Sequence, residues 1–188
     1  MRALRLLMTR TVGGFRKRTV APRPERSGMM RSMGVLFDYF AAASDEQAAS
    51  AIDRVGGPGA ETAPDASAQA FDTVSVKGID PVVQMGRLEE LLTGRPYDEI
   101  AAERRSGQPL AIRDGGERVV LALADSLTNA LAEASPERLA EVAAPWSRTE
   151  EFWGSADPDM LTELLRDLAG LAGRAHASNQ RLYCWICV

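Results

Sequence analysis

Of the 26 acidic residues in this chain only Glu25 lies among the first 32 positions, while nine of the 22 basic residues crowd into the same stretch. Residues 33–188 keep 25 acids against 13 bases, so the two parts carry about +8 and −12. Two segments with such unlike charge do not share one core. The division predicts a basic leader over 1–32 and one α+β domain over 33–188, long enough to bury roughly two-thirds of its unfolded surface.

The leader supports several readings. Leu4, Leu7, Met8, Val12 and Phe15 share one side of a helical wheel, as in a helix lying on a membrane, although Gly13-Gly14 interrupts the pattern. An Arg-rich, acid-poor composition also fits a targeting segment or an arm for phosphate backbones. With Met29, Met30 and Met33 clustered at the change in composition, it is read here as disordered or upstream sequence that the fold does not need. Two cysteines, both in the last five residues, do not make a disulfide framework, and no apolar run reaches the roughly 18–20 residues of a spanning helix. A cytoplasmic location is expected, without a transmembrane segment, and the acidic domain is not expected to bind nucleic acid.

Periodicity predicts the elements. Gly34–Phe40 reads as a buried strand, and Ser44 with Gln47 forms a capping box for a helix reaching about Val55. Residues 56–70 read as a mobile surface loop whose glycines lack the spacing of a phosphate cradle. Phe71–Ile79 is extended, Asp80-Pro81 starts a helix closed by Gly94, and Tyr97–Ser106 is a third helix. Strands at 109–113 and 118–123 flank Asp114-Gly115-Gly116, either as a tight hairpin or with a wider loop. Asp125 or Ser126 caps the next helix, Ser135-Pro136 begins one that stops before Pro145, and Asp157-Pro158 begins the longest, to about Ala177. Arg181–Val188 reads as a buried strand. The expected fold is thus a small mixed or antiparallel sheet packed with five to six helices.

The layout resembles that of the YfbM-like family of bacterial proteins. The resemblance rests on Leu88-Glu89-Glu90-Leu91-Leu92-Thr93-Gly94 at a helix end, the strand and helix from Val119 to Ala134, the Ser135-Pro136-Glu137-Arg138-Leu139 helix start, and a long helix leading into an apolar strand. It implies a fold and no activity, so no catalytic residue is carried over from it.

Chemistry-bearing patterns are few. Cys184-Trp185-Ile186-Cys187 has the CxxC spacing, yet no helix begins there to lower a thiol pKa, and residues three apart on a strand face opposite ways. Both cysteines are expected to fill core, with one reactive thiol as the alternative. His176 is the only histidine and lacks a partner motif for acid–base work. Glu150, Glu151, Asp157, Asp159 and Asp38 follow no known metal loop, so neither metal nor cofactor is expected. Trp146, Phe152 and Trp153, in an irregular segment between two helices, are the candidate partner-binding or ligand-binding residues. These features favour a protein-interaction or regulatory module over an enzyme. The alternatives are a small-molecule-binding protein or an enzyme with an unrecognised pocket, and leader-mediated nucleic-acid or membrane binding.

Overall fold

The structure, a computed structural model, describes residues 35–60 and 69–188. The leader and residues 61–68 of the expected loop lie outside the described residues.

Strand β1 (Leu36–Ala42) alternates Phe37, Tyr39 and Ala41 on one face with Asp38, Phe40 and Ala42 on the other, and all six are buried. Helical structure lies on both faces, which explains why the run is apolar on both sides but for Asp38 instead of alternating with polar residues. It pairs antiparallel with β2 (Thr73–Lys77) and with β5 (Arg181–Cys187). Strand β5 also pairs antiparallel with β4 (Arg118–Ala122), and β4 with β3 (Pro109–Arg113). The order is β2-β1-β5-β4-β3, so the sheet is wholly antiparallel.

One face is covered by α2 (Val83–Thr93), α4 (Asp125–Glu133), α5 (Pro136–Ser147) and α6 (Pro158–Ala177), which supply Met85, Leu88, Leu127, Leu131, Leu139, Val142 and the leucines of α6 to the larger core. The opposite face packs Phe40, Val120, Tyr183 and Trp185 against Ala48 of α1 (Asp45–Ser50) and against Ala51 and Ile52 of the 3-10 turn after it. With α3 (Tyr97–Ala101), the described residues hold six α-helices around five strands, an α+β unit.

Several boundaries differ from expectation. The first helix ends at Ser50 with a 3-10 turn to Asp53, and Gly57 and Pro58 of the expected surface loop are buried. Pro81 is not the first residue of α2. The Asp80 carboxylate accepts from the N–H groups of Val82 and Val83 at 2.9 and 2.6 Å and so bonds the turn into the helix, but the cap position is Val82 and the helix starts at Val83. Helix α3 stops at Ala101 and gives way to turns in which Arg105 enters ion pairs and Gly107 (φ 68°) sits where a Cβ would lie 2.8 Å from Val82. Neither Asp125 nor Ser126 caps α4. Ala124 holds that position without a side-chain bond. The hairpin has the wider, four-residue loop, with Arg113 facing Arg118.

Helix α5 runs through Pro145 to Ser147. The proline removes one helical hydrogen bond, but the extra residues bury Trp146 completely and its indole N–H donates to the Gln84 carbonyl at 2.9 Å. Expected outcome: Trp146→Ala destabilises the fold by about 3–5 kcal/mol, measured by urea denaturation. A loss below about 1 kcal/mol would show that Trp146 does not anchor this layer.

Candidate interaction site

The segment after α5 is a tightly bonded turn. Thr149 Oγ1 donates to the Trp146 carbonyl at 3.0 Å, Trp153 N–H to Glu150 at 3.0 Å, and Ser155 Oγ to Phe152 at 2.8 Å. Glu150–Phe152 form one 3-10 turn. Phe152 points inward, edge-on to Trp146 with ring centroids 5.1 Å apart. Glu151 ties the turn to α2, with Arg87 Nε at 3.5 Å from its carboxylate and Gln84 Nε2 donating to its carbonyl at 3.5 Å.

Trp153 follows in the left-handed conformation (φ 52°) and is 92% exposed. A bulky L residue rarely occupies that region, at a cost on the order of 1–2 kcal/mol. The expected aromatic cluster therefore divides. Trp146 and Phe152 belong to the core and offer no surface to a partner, whereas the Trp153 indole stands in solvent on a rigid base. Val83, beside Gln84, and Met160, in the first turn of α6, are exposed apolar side chains on the segments that flank this turn.

The other candidates are dispersed. Cys184 lies in the helix-side core and Cys187 packs on the opposite side of the sheet, so the two thiols do not face each other. Burial pushes the Cys184 thiol well above its ordinary range. Cys187 is half-buried. His176 is exposed at the end of α6, beside a polar cleft of about 520 Å³ that Asp125, Asn129, Asn179 and Arg181 also line. Asp157 caps α6 by accepting from Asp159 N–H, and Asp38 is buried on β1, where desolvation raises its pKa. Among the described residues, no three His, Cys, Asp or Glu side chains converge as metal ligands would.

Two polar networks were not apparent from the sequence. Arg105 Nη1 meets both Asp45 oxygens at 2.9 and 3.1 Å, and its Nε lies 3.2 Å from Asp125. Its guanidinium stands 5.3 Å from the Tyr183 ring, whose hydroxyl donates to Asp45 at 2.9 Å. Burial, then the bond to Asp45, pushes Tyr183 up to about 12. In the second network Ser126 Oγ donates to Glu89 at 2.6 Å, and Arg95 bridges Glu89 (3.6 Å) and Glu103 (2.6 Å). Glu89 is 1% exposed, so no substrate reaches it, and the network ties α2 and α4. Its position beside Leu88 in a helical stripe was the available signal, but a Leu-Glu-Glu-Leu run reads equally as a solvated face.

Comparison of the chain with protein-family models, curated proteins and solved structures finds no match.

Two outcomes test these environments. Burial raises the Glu89 carboxyl above its usual range, partly offset by the Ser126 bond and increased by the charge of Glu103. A raised folded-state pKa means that the folded protein holds the proton more tightly. The corresponding stability is present below the ordinary carboxylate pKa and is lost as pH rises through the raised one. Glu89→Gln should therefore gain stability over the parent between pH 4 and 7 in parallel urea titrations; a difference that shrinks with rising pH contradicts the assignment. Ellman's reagent should label Cys187 in the native protein and reach Cys184 only on unfolding, so two equally fast thiols would exclude this arrangement.

Proposed function

We propose that the chain is a protein-interaction or regulatory module that engages its partner through Trp153. The observation that carries this reading is a nearly fully exposed indole held in a strained backbone conformation by a turn whose other aromatic residues are buried. Such an anchor loses little conformational freedom on binding, and tryptophan is the residue most often found at the centre of interaction hot spots. Exposed Glu150, Asp157 and Asp159 nearby suit a partner pocket that is apolar with a basic rim.

The small-molecule alternative calls for a deep pocket with apolar walls, and the cleft beside His176 is lined chiefly by polar side chains. Leader-mediated binding depends on residues 1–32, outside the described residues. A cytoplasmic setting belongs to the same proposal. Among the described residues no helix is long and apolar enough to cross a membrane. The YfbM-like resemblance, also proposed as kinship, adds no activity.

The test is affinity capture from native lysate with the full chain and its Trp153→Ala variant. Because Trp153 is exposed, the variant should keep its stability within about 0.5 kcal/mol while recovery of a stoichiometric partner falls at least tenfold. Equal recovery by both forms would refute the role of Trp153.

A further inference from the structure

Asp114, Gly115 and Gly116 turn the chain from β3 into β4, and all three hold positive φ, at 51°, 68° and 108°. Aspartate tolerates that region better than most residues because its side chain is short and polar. Asp114-Gly115 is the one Asp-Gly pair in the chain, and no Asn-Gly pair occurs. The pairing matters chemically. A glycine nitrogen has no adjacent side chain to block its approach to the carboxyl carbon of the preceding aspartate, so Asp-Gly is the sequence most prone to close an imide ring.

The fold leaves both reacting groups accessible. The Asp114 side chain is 52% exposed, and a Cβ added at Gly115 or Gly116 would meet nothing within 4 Å. Among the described residues the Gly115 N–H donates to no acceptor, while the Asp114 carbonyl accepts from Glu117 N–H at 3.3 Å. One contact restrains the carboxylate. Arg118 Nε lies 2.7 Å from Asp114 Oδ2, and the same guanidinium gives Nη1 to the Ile52 carbonyl at 2.9 Å. Arg113, which faces Arg118, pairs with Asp53 instead. A solvated ion pair of this kind is weak and screened by salt, so it opens readily. A second aspartate followed by a small residue, Asp125-Ser126, is held quite differently. Asp125 meets Arg105 at 3.2 Å and Arg181 at 3.5 Å, both residues lie in the first turn of α4, and Ser126 Oγ is bonded to Glu89.

We propose that Asp114 is a site of isoaspartate formation in the folded protein and that Arg118 restrains the reaction. When the pair opens and the carboxyl is protonated, the Gly115 nitrogen attacks Asp114 Cγ. The N–Cγ bond forms, the Cγ–OH bond breaks, and the hydroxyl leaves with the amide proton as water. A second water molecule then opens the five-membered imide at either carbonyl. Breaking the new N–Cγ bond restores aspartate, whereas breaking the original bond to the main-chain carbonyl carbon leaves the backbone running through the side chain as isoaspartate. One water is lost and one gained, so mass is unchanged and no other reactant is needed. The product adds one backbone atom to the hairpin loop and carries its carboxylate directly on Cα, out of register with Arg118. The site is independent of the Trp153 turn.

The test incubates the full chain at neutral pH beside a sample unfolded in urea. Isoaspartate is counted by enzymatic methylation of its free carboxylate and located by peptide mass spectrometry with electron-transfer fragmentation. Position 114 should convert in the folded chain within about tenfold of its rate in the unfolded one, because local opening at an exposed loop tip costs little. Asp125 should convert at least tenfold more slowly folded than unfolded. Asp114→Glu should abolish the signal assigned to the hairpin. Arg118→Gln should raise the rate at position 114 at least twofold, and high salt should do the same in the parent but not in the variant. The salt comparison in the parent tests the restraint without any substitution, so a poorly folded variant does not decide the outcome. The proposal is overturned if position 114 converts only in the unfolded sample, if Asp125 converts as fast as Asp114 in the folded chain, or if neither salt nor Arg118→Gln accelerates the reaction.

Discussion

The antiparallel pairing of β1 with β5 is the constraint on which the rest of the structure depends. Seven consecutive register positions join these strands, and among the described residues β5 alone links the β2-β1 pair to the β4-β3 pair. Without it the sheet falls into two ribbons of two strands, each marginal alone in water. The two ends of this pairing are far apart in sequence, so the chain must bear a large closure entropy before the central contacts form. Tyr39, Phe40, Tyr183 and Cys184 are completely buried at this seam, and it is their burial on both sheet faces that offsets the cost.

The polar networks follow from the same arrangement. Tyr183 reaches Asp45 only because β5 lies beside β1, and Arg105 then joins the turn after α3 to α1 and to the first residue of α4. On the helical side, Glu89 with Ser126 and the Trp146 indole with Gln84 connect α2 to α4 and α5. Each places a polar group inside the fold with its partner supplied, which favours one packing of the helices over near alternatives. The turn bearing Trp153 inherits this rigidity through Phe152 and Glu151.

Much of this was legible in the residues themselves. The Asp157-Pro158 start and the three-and-four spacing of leucines mark α6 over its observed length, and the apolar run from Leu182 marks β5. Elements whose ends are set by distant partners were not legible. Pro145 reads as a stop, but the burial of Trp146 outweighs one lost bond; Ser126 reads as a cap, but Glu89 takes its hydroxyl. The aromatic segment was recognisable as a candidate, though not which of its rings faces outward, because the left-handed turn at Trp153 has no local signature when glycine is not the residue there. Edges and grooves arise from strand order, which one-dimensional periodicity does not encode.

The three tryptophans occupy three distinct settings: Trp146 is enclosed and hydrogen-bonded, Trp185 is buried on the other side of the sheet with its indole N–H unpaired among the described residues, and Trp153 is in solvent. The chain consequently carries an intrinsic set of optical reporters. The exposed Trp153 should emit to the red of the two buried tryptophans and track events at the surface turn, while Trp146 and Trp185 together report on the two buried layers, without any label being added.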